Sequence, residues 1–152
     1  MKEITTHVDI AAPPEAVWQV LMDFPSYSDW NPFIRTLEGT PDVGEQLLVR
    51  LRPPGGRMIT LQPRVVDFVP GRRLVWHGNL FIRGMFDGKH AFELEELDDG
   101  STRFVHREEF TGPLVSLIWG SVGERTRRGF EGKNEALKER VEEGRRPRVH
   151  ES

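Results

Sequence analysis

The stretch MFDGKHAFELEELDDGSTRFVHREEF, residues 85–110, decides how the rest of this chain folds. It reads as two strands joined at Asp98-Asp99-Gly100, where glycine suits a turn with positive φ. Strand side chains alternate between two faces. Phe86, Gly88, His90, Phe92 and Leu94 therefore share a face with Phe104, His106, Glu108 and Phe110. The other face carries Asp87, Lys89, Glu93, Glu95, Arg103, Arg107 and Glu109 and belongs to solvent. A three-residue loop pairs Leu97 with Ser101. A two-residue loop would set apolar residues opposite polar ones, which a half-buried sheet penalises. The favoured register puts Phe92 opposite His106, Leu94 opposite Phe104 and His90 opposite Glu108. Opposed Cβ atoms lie roughly 4.5–5.5 Å apart, so a His90–Glu108 hydrogen bond is expected on the inner face. An aromatic wall that carries two imidazoles and one carboxylate is the functional clue.

Upstream of this hairpin, Ile4, Val8 and Ile10 mark a strand over residues 3–11. Pro13-Pro14 ends it, and Pro14 with Glu15 suits the first turn of a helix that carries Ala16, Val17, Val20, Leu21 and Phe24. A second short helix is expected at Ser26–Trp30, closed by Asn31-Pro32. Strands follow over 33–39, 45–52, 57–69, 72–77, 84–97 and 101–111, separated by tight Gly/Pro turns, which predicts an antiparallel sheet. Pro63 marks an edge or a bulge within 57–69. Beyond Gly112-Pro113 the period becomes helical: Leu114, Ile118, Val122, Phe130, Leu137 and Val141 lie along one stripe. Gly120 and Gly123 predict a kinked or loosened first half, and Gly144 a C-cap. The expected domain is 1–143, with 144–152 a flexible tail.

The 152 residues suit one domain, and 37% hydrophobic with 30% charged residues excludes a disordered chain. A net charge of −3 gives no electrostatic case for nucleic-acid binding. No cysteine means no disulfide, no thiolate nucleophile and no Cys-type zinc site. The N-terminal MKEITTHVDI is charged and alternating, unlike a signal peptide. The longest apolar run, 114–122, is too short to span a bilayer. These features predict a soluble cytoplasmic protein with no stable membrane insertion, as monomer or homodimer.

The element order and several strings resemble the START-like (SRPBCC) superfamily, whose helix-grip fold is shared with the birch-pollen allergen. The strings are VDIAAPPEAVWQVLMDFPSYSDWNPFI at 8–34, PGRRLVW at 70–76, GKHAFELEELDDGSTRFVHREEFTGPL at 88–114 and FEGKNEALKERVEE at 130–143. The best resemblance is to the bacterial polyketide cyclase/dehydrase and lipid-transport branch. It implies an α+β helix-grip fold: a single curved antiparallel sheet of about seven strands, two short helices, and a long C-terminal helix over the concave face. It also implies an apolar cavity lined by His90, His106, Phe92, Phe104 and Trp76, with Trp18 and Trp30 near its mouth.

Read from the residues, Trp76, Phe81, Phe86, Trp119 and Phe130 are candidate ligand-stacking walls or plain core. Phe33, Phe110, Ile118 and Val122 complete the expected lining. His90, His106 and Glu108 form a candidate acid/base set, with the carboxylate orienting an imidazole. The alternative is that they satisfy one another at the polar end of a cavity. Two His and one carboxylate are also ligand types for iron, but no metal motif spaces them, so no metal and no cofactor is expected. Arg125, Arg127 and Arg128 form a basic cluster that reads first as a solvated helix face. Three functions fit: a binder of a hydrophobic or aromatic small molecule, a cyclase/dehydratase-type enzyme, or a co-chaperone-like interaction protein.

Overall fold

A computed structural model describes residues 1–79 and 83–145 of the chain. In order these are β1 (Lys2–Ile10), α1 (Pro14–Met22), a 3₁₀ turn (Phe24–Ser26), α2 (Tyr27–Trp30), β2 (Ile34–Glu38), β3 (Leu48–Leu51), β4 (Ile59–Leu61), β5 (Arg64–Val69), β6 (Arg73–Asn79), β7 (Asp87–Glu96), β8 (Thr102–Thr111) and α3 (Leu114–Arg145). The central hairpin forms in the expected register: His90 lies opposite Glu108, Phe92 opposite His106 and Leu94 opposite Phe104. Gly100 takes φ of 83° in its turn, as the three-residue loop requires.

All strand pairs are antiparallel, in the order β1-β8-β7-β6-β5 and β2-β3-β4. The two groups join where Gln46 bridges Arg64 and the Leu47 amide donates to the Pro63 carbonyl at 2.8 Å. The expected strand at 57–69 is therefore two strands that part at Gln62-Pro63. Proline lacks the amide that would continue the ladder, and the chain bends there to curve the sheet. Asn31, expected to close the second short helix, is fully buried. Its Oδ1 accepts from the Phe33 and Ile34 amides at 3.0 and 2.8 Å.

The long helix is continuous from Leu114 to Arg145, with no break at Gly120 or Gly123. It runs through Gly144, so that residue is not a cap, and residues 146–152 of the expected tail lie outside the described residues. Gly129 allows α3 to approach the sheet closely: a Cβ there would sit 2.4 Å from Phe33 Cδ2, whereas one at Gly120 would meet nothing. Gly129→Ala is therefore expected to destabilise by about 1–3 kcal/mol through overpacking, and Gly120→Ala to stabilise by about 1 kcal/mol. Urea titration of both variants checks the pair. Equal effects of the two would mean that helix propensity alone matters at these sites.

Candidate functional site

Rows of residues across the sheet show where space arises. One inner row is Val65–Trp76–His90–Glu108–Ile4, and the row next towards the open end is Gly78–Gly88–Phe110. Two glycines in succession leave that second row without side chains. Above them lies a cavity of about 310 Å³ between the sheet, the β3–β4 loop and α3. Phe33, Trp76, Phe86, Phe110, Val122 and Glu108 line it. Leu51, Ile59, Leu61 and Pro63 supply the far wall, and Arg57, Asn79 and Arg125 add polar groups.

Glu108 does not bond His90. Its carboxylate leans along the strand over Gly88, where a Cβ would stand 3.1 Å from Oε2. The absence of that Cβ gives Glu108 a place in the cavity wall, and this displaces the expected pairing. Desolvation pushes its carboxyl up to about 8, so it is mostly protonated at neutral pH and can donate a hydrogen bond.

His90 instead meets its diagonal neighbour on the same face: the Nε2 atoms of His90 and His106 are in hydrogen-bonding contact. Two neutral imidazoles can share such a bond only if one Nε2 carries a proton and the other does not. His106 stacks on Phe130 with ring centres 3.7 Å apart, and His90 packs against Trp76 at 4.6 Å. Burial drives both imidazole pKa values well below the usual 6.5, and a nearby Lys133 adds to the effect. The pair lies in the packed interior with Phe92, Phe104 and Phe130, beneath the cavity, and neither imidazole lines it.

Lys133 was not anticipated. It is fully buried on α3, with Nζ 3.3 Å from the centre of the Phe92 ring and 5.0 Å from that of Phe104. Its neighbour Asn134 donates to Thr6 Oγ1 at 2.9 Å. Lys133 Nζ, His106 Nδ1 and Asn134 Oδ1 have no hydrogen-bond partner among the described residues. A signal was present in the sequence: Lys133 sits three residues after Phe130 and four before Leu137, on the apolar stripe.

Three further expected positions make aromatic packing contacts. Trp18 contacts Phe68 at 5.9 Å, Trp30 contacts Tyr27 at 5.1 Å and Trp119 contacts Phe110 at 5.2 Å. Ile118 is partly buried against the core, and Phe81 lies outside the described residues. Among the described residues no three His, Asp or Glu side chains are grouped to hold a metal ion.

A family model described as polyketide cyclase/dehydrase and lipid transport matches residues 1–142. The chain belongs to this family. Members of the wider fold group are similar in structure. The Zhui aromatase/cyclase from Streptomyces sp. R1128 superposes with a TM-score of 0.77 at 19% identity, covering 95% of this chain and 96% of that one. A START superfamily protein from Mycobacterium smegmatis gives 0.71 at 20% identity, over 93% and 97% of the two chains. A Chromobacterium violaceum protein gives 0.72 at 22% identity, over 93% and 99%. No curated protein matches the chain. The helix-grip expectation is borne out, with eight strands grouped as five and three. Among the described residues no helix is long and apolar enough to cross a membrane.

Proposed function

We propose that this protein holds a hydrophobic or aromatic small molecule, such as a lipid, polyketide or quinone-like compound, in the cavity above Gly78 and Gly88. The observation that carries the reading is the cavity itself: about 310 Å³, walled mainly by apolar side chains, with few polar groups. Small-molecule sites span roughly 300–1,000 Å³, so this one suits a compact ligand or one that extends beyond its mouth. A cytoplasmic setting fits a chain without cysteine. Native mass spectrometry of freshly purified protein, followed by thermal melts with a lipid and polyphenol panel, tests the reading. A ligand at a hundred times its Kd raises stability by about 2.7 kcal/mol, roughly 5–10 °C in melting temperature for a domain of this size. No bound species and no shift across the panel would sink it.

Enzymatic cyclisation or dehydration is the second reading, and the protonated Glu108 in the cavity wall favours it. Such an acid can give its proton to a ligand carbonyl or a departing hydroxyl, a role worth about 10²–10⁴ in rate. His90 and His106 would take part from below, by holding that face of the sheet. Glu108→Gln is then expected to keep the ligand-induced melting shift and to lose turnover. Wild-type turnover should fall as pH rises through about 8, the pKa of the acid. Turnover that survives in Glu108→Gln removes this carboxyl from the chemistry.

A further inference from the structure

A second cavity, of about 300 Å³, opens beside the first, and Phe33 and Pro53 line both. Its lining is also mainly apolar, with Pro32, Phe33, Pro53 and Pro54, but it carries two arginines. The β3–β4 loop supplies Arg52, Pro54 and Gly55, and α3 supplies Arg128, Gly129 and Gly132. The charged groups in this lining are the two guanidiniums.

Arg52 has an exposed side chain with no ion-pair or hydrogen-bond partner among the described residues. Arg128 has Glu124 at 4.0 Å on an exposed helical turn, a contact that contributes little. On the first cavity's side, Arg57 and Arg125 are likewise exposed and without an ion pair among the described residues. Four arginines thus border one seam between a loop and a helix, in a chain whose net charge is −3. Such a local excess attracts anions, and the planar guanidinium fork matches carboxylate and phosphate oxygens in pairs.

We propose that the second cavity is a head-group site: Arg52 and Arg128 bind the anionic end, carboxylate or phosphate, of an amphiphile whose apolar body lies in the first cavity. The proposal rests on the ligand-binding reading of the first cavity. Phe33 and Pro53 border both cavities, so the two lie side by side and a ligand spanning them would cross over these residues.

Three probes with the same twelve-carbon chain separate the two ideas: dodecanol, dodecanoate and dodecyl phosphate, each titrated below micelle formation and followed by tryptophan fluorescence and calorimetry. Inorganic phosphate is titrated alongside. Dodecanol binding reports the apolar cavity alone. At low salt, at least one charged probe is expected to bind about tenfold more tightly than dodecanol, with the advantage shrinking as salt is added. Which one does so distinguishes a carboxylate from a phosphate head. In Arg52→Ser/Arg128→Ser the advantage should fall below about threefold while dodecanol binds as before. Arg127→Ser removes an exposed charge that lines neither cavity and should retain it. If dodecanol binds but neither charged probe gains, or if the gain survives the double substitution, the head-group site is overturned and the apolar cavity stands. Inorganic phosphate binding as tightly as dodecyl phosphate would make the second cavity an independent anion site and overturn the bridging ligand. Failure of all three amphiphiles would overturn the ligand-binding reading and this one with it.

Discussion

Lys133→Met is expected to raise the melting temperature at pH 7 by roughly 6–12 °C, an increase of about 3 kcal/mol in stability. The lysine is fully buried, and its Nζ has no hydrogen-bond partner among the described residues. Keeping it charged there costs several kcal/mol in lost hydration. The faces of Phe92 and Phe104 offer an ammonium about 2 kcal/mol in return, which does not offset that loss. Burial therefore favours the neutral amine and holds its pKa well below 10.5. Each pH unit of that lowering, down to the working pH, costs about 1.4 kcal/mol of stability. Methionine has a similar length, demands no hydrogen bond and packs well against aromatic rings. Thermal melts followed by circular dichroism measure the change. A lower melting temperature for the methionine variant would mean that the folded protein depends on the amine, and the account would fail.

The second large effect is acid unfolding with an unusual profile. Stability rises with pH wherever the unfolded chain binds more protons than the folded one, by about 1.4 kcal/mol per pH unit for each proton. His90, His106 and Lys133 have lowered pKa values when folded, so between that lowered value and its ordinary value of 6.5, 6.5 or 10.5 each holds a proton only in the unfolded chain. Glu108 is the opposite case. Between its unfolded value of 4.5 and its folded value of about 8 it holds a proton only when folded. Below 10.5 the lowered pKa of Lys133 therefore makes stability fall as pH falls, and between about 8 and 4.5 Glu108 opposes that loss. Below 6.5 the two histidines add to the loss, each by about 1.4 kcal/mol per pH unit until it takes up its proton in the fold.

The groups facing this cluster from both the sheet and α3 are counted in the profile, and Thr6 and Asn134 do not titrate. In Lys133→Met stability should decline as pH rises from 6.5 to about 8, because Glu108 is then unopposed. Urea denaturation at half-unit pH intervals tests both curves. A flat wild-type profile between pH 5 and 7 would show that the histidines are not held neutral.

The hairpin was legible because strand periodicity leaves only two choices of face, and one of them places Phe92, Phe104 and Phe110 in water. The same alternation could not reveal how Glu108 would turn. That depended on the missing Cβ of Gly88, which bends a carboxylate along its own strand instead of across to His90. The far wall of the cavity, Leu51, Ile59 and Leu61, was read as strand without a role, because the bend at Pro63 that brings these residues over Gly78 is a property of the curved sheet. Lys133 was readable as a charged residue on an apolar stripe but was passed over, since lysines at such positions usually reach water along their long stems. Here the rings of Phe92 and Phe104 close over the amine.

Trp76 lines the cavity on one side and packs against His90 on the other. The same indole thus faces the cavity and covers one of the two buried imidazoles. Shortening that side chain would bring the edge of the cavity to His90.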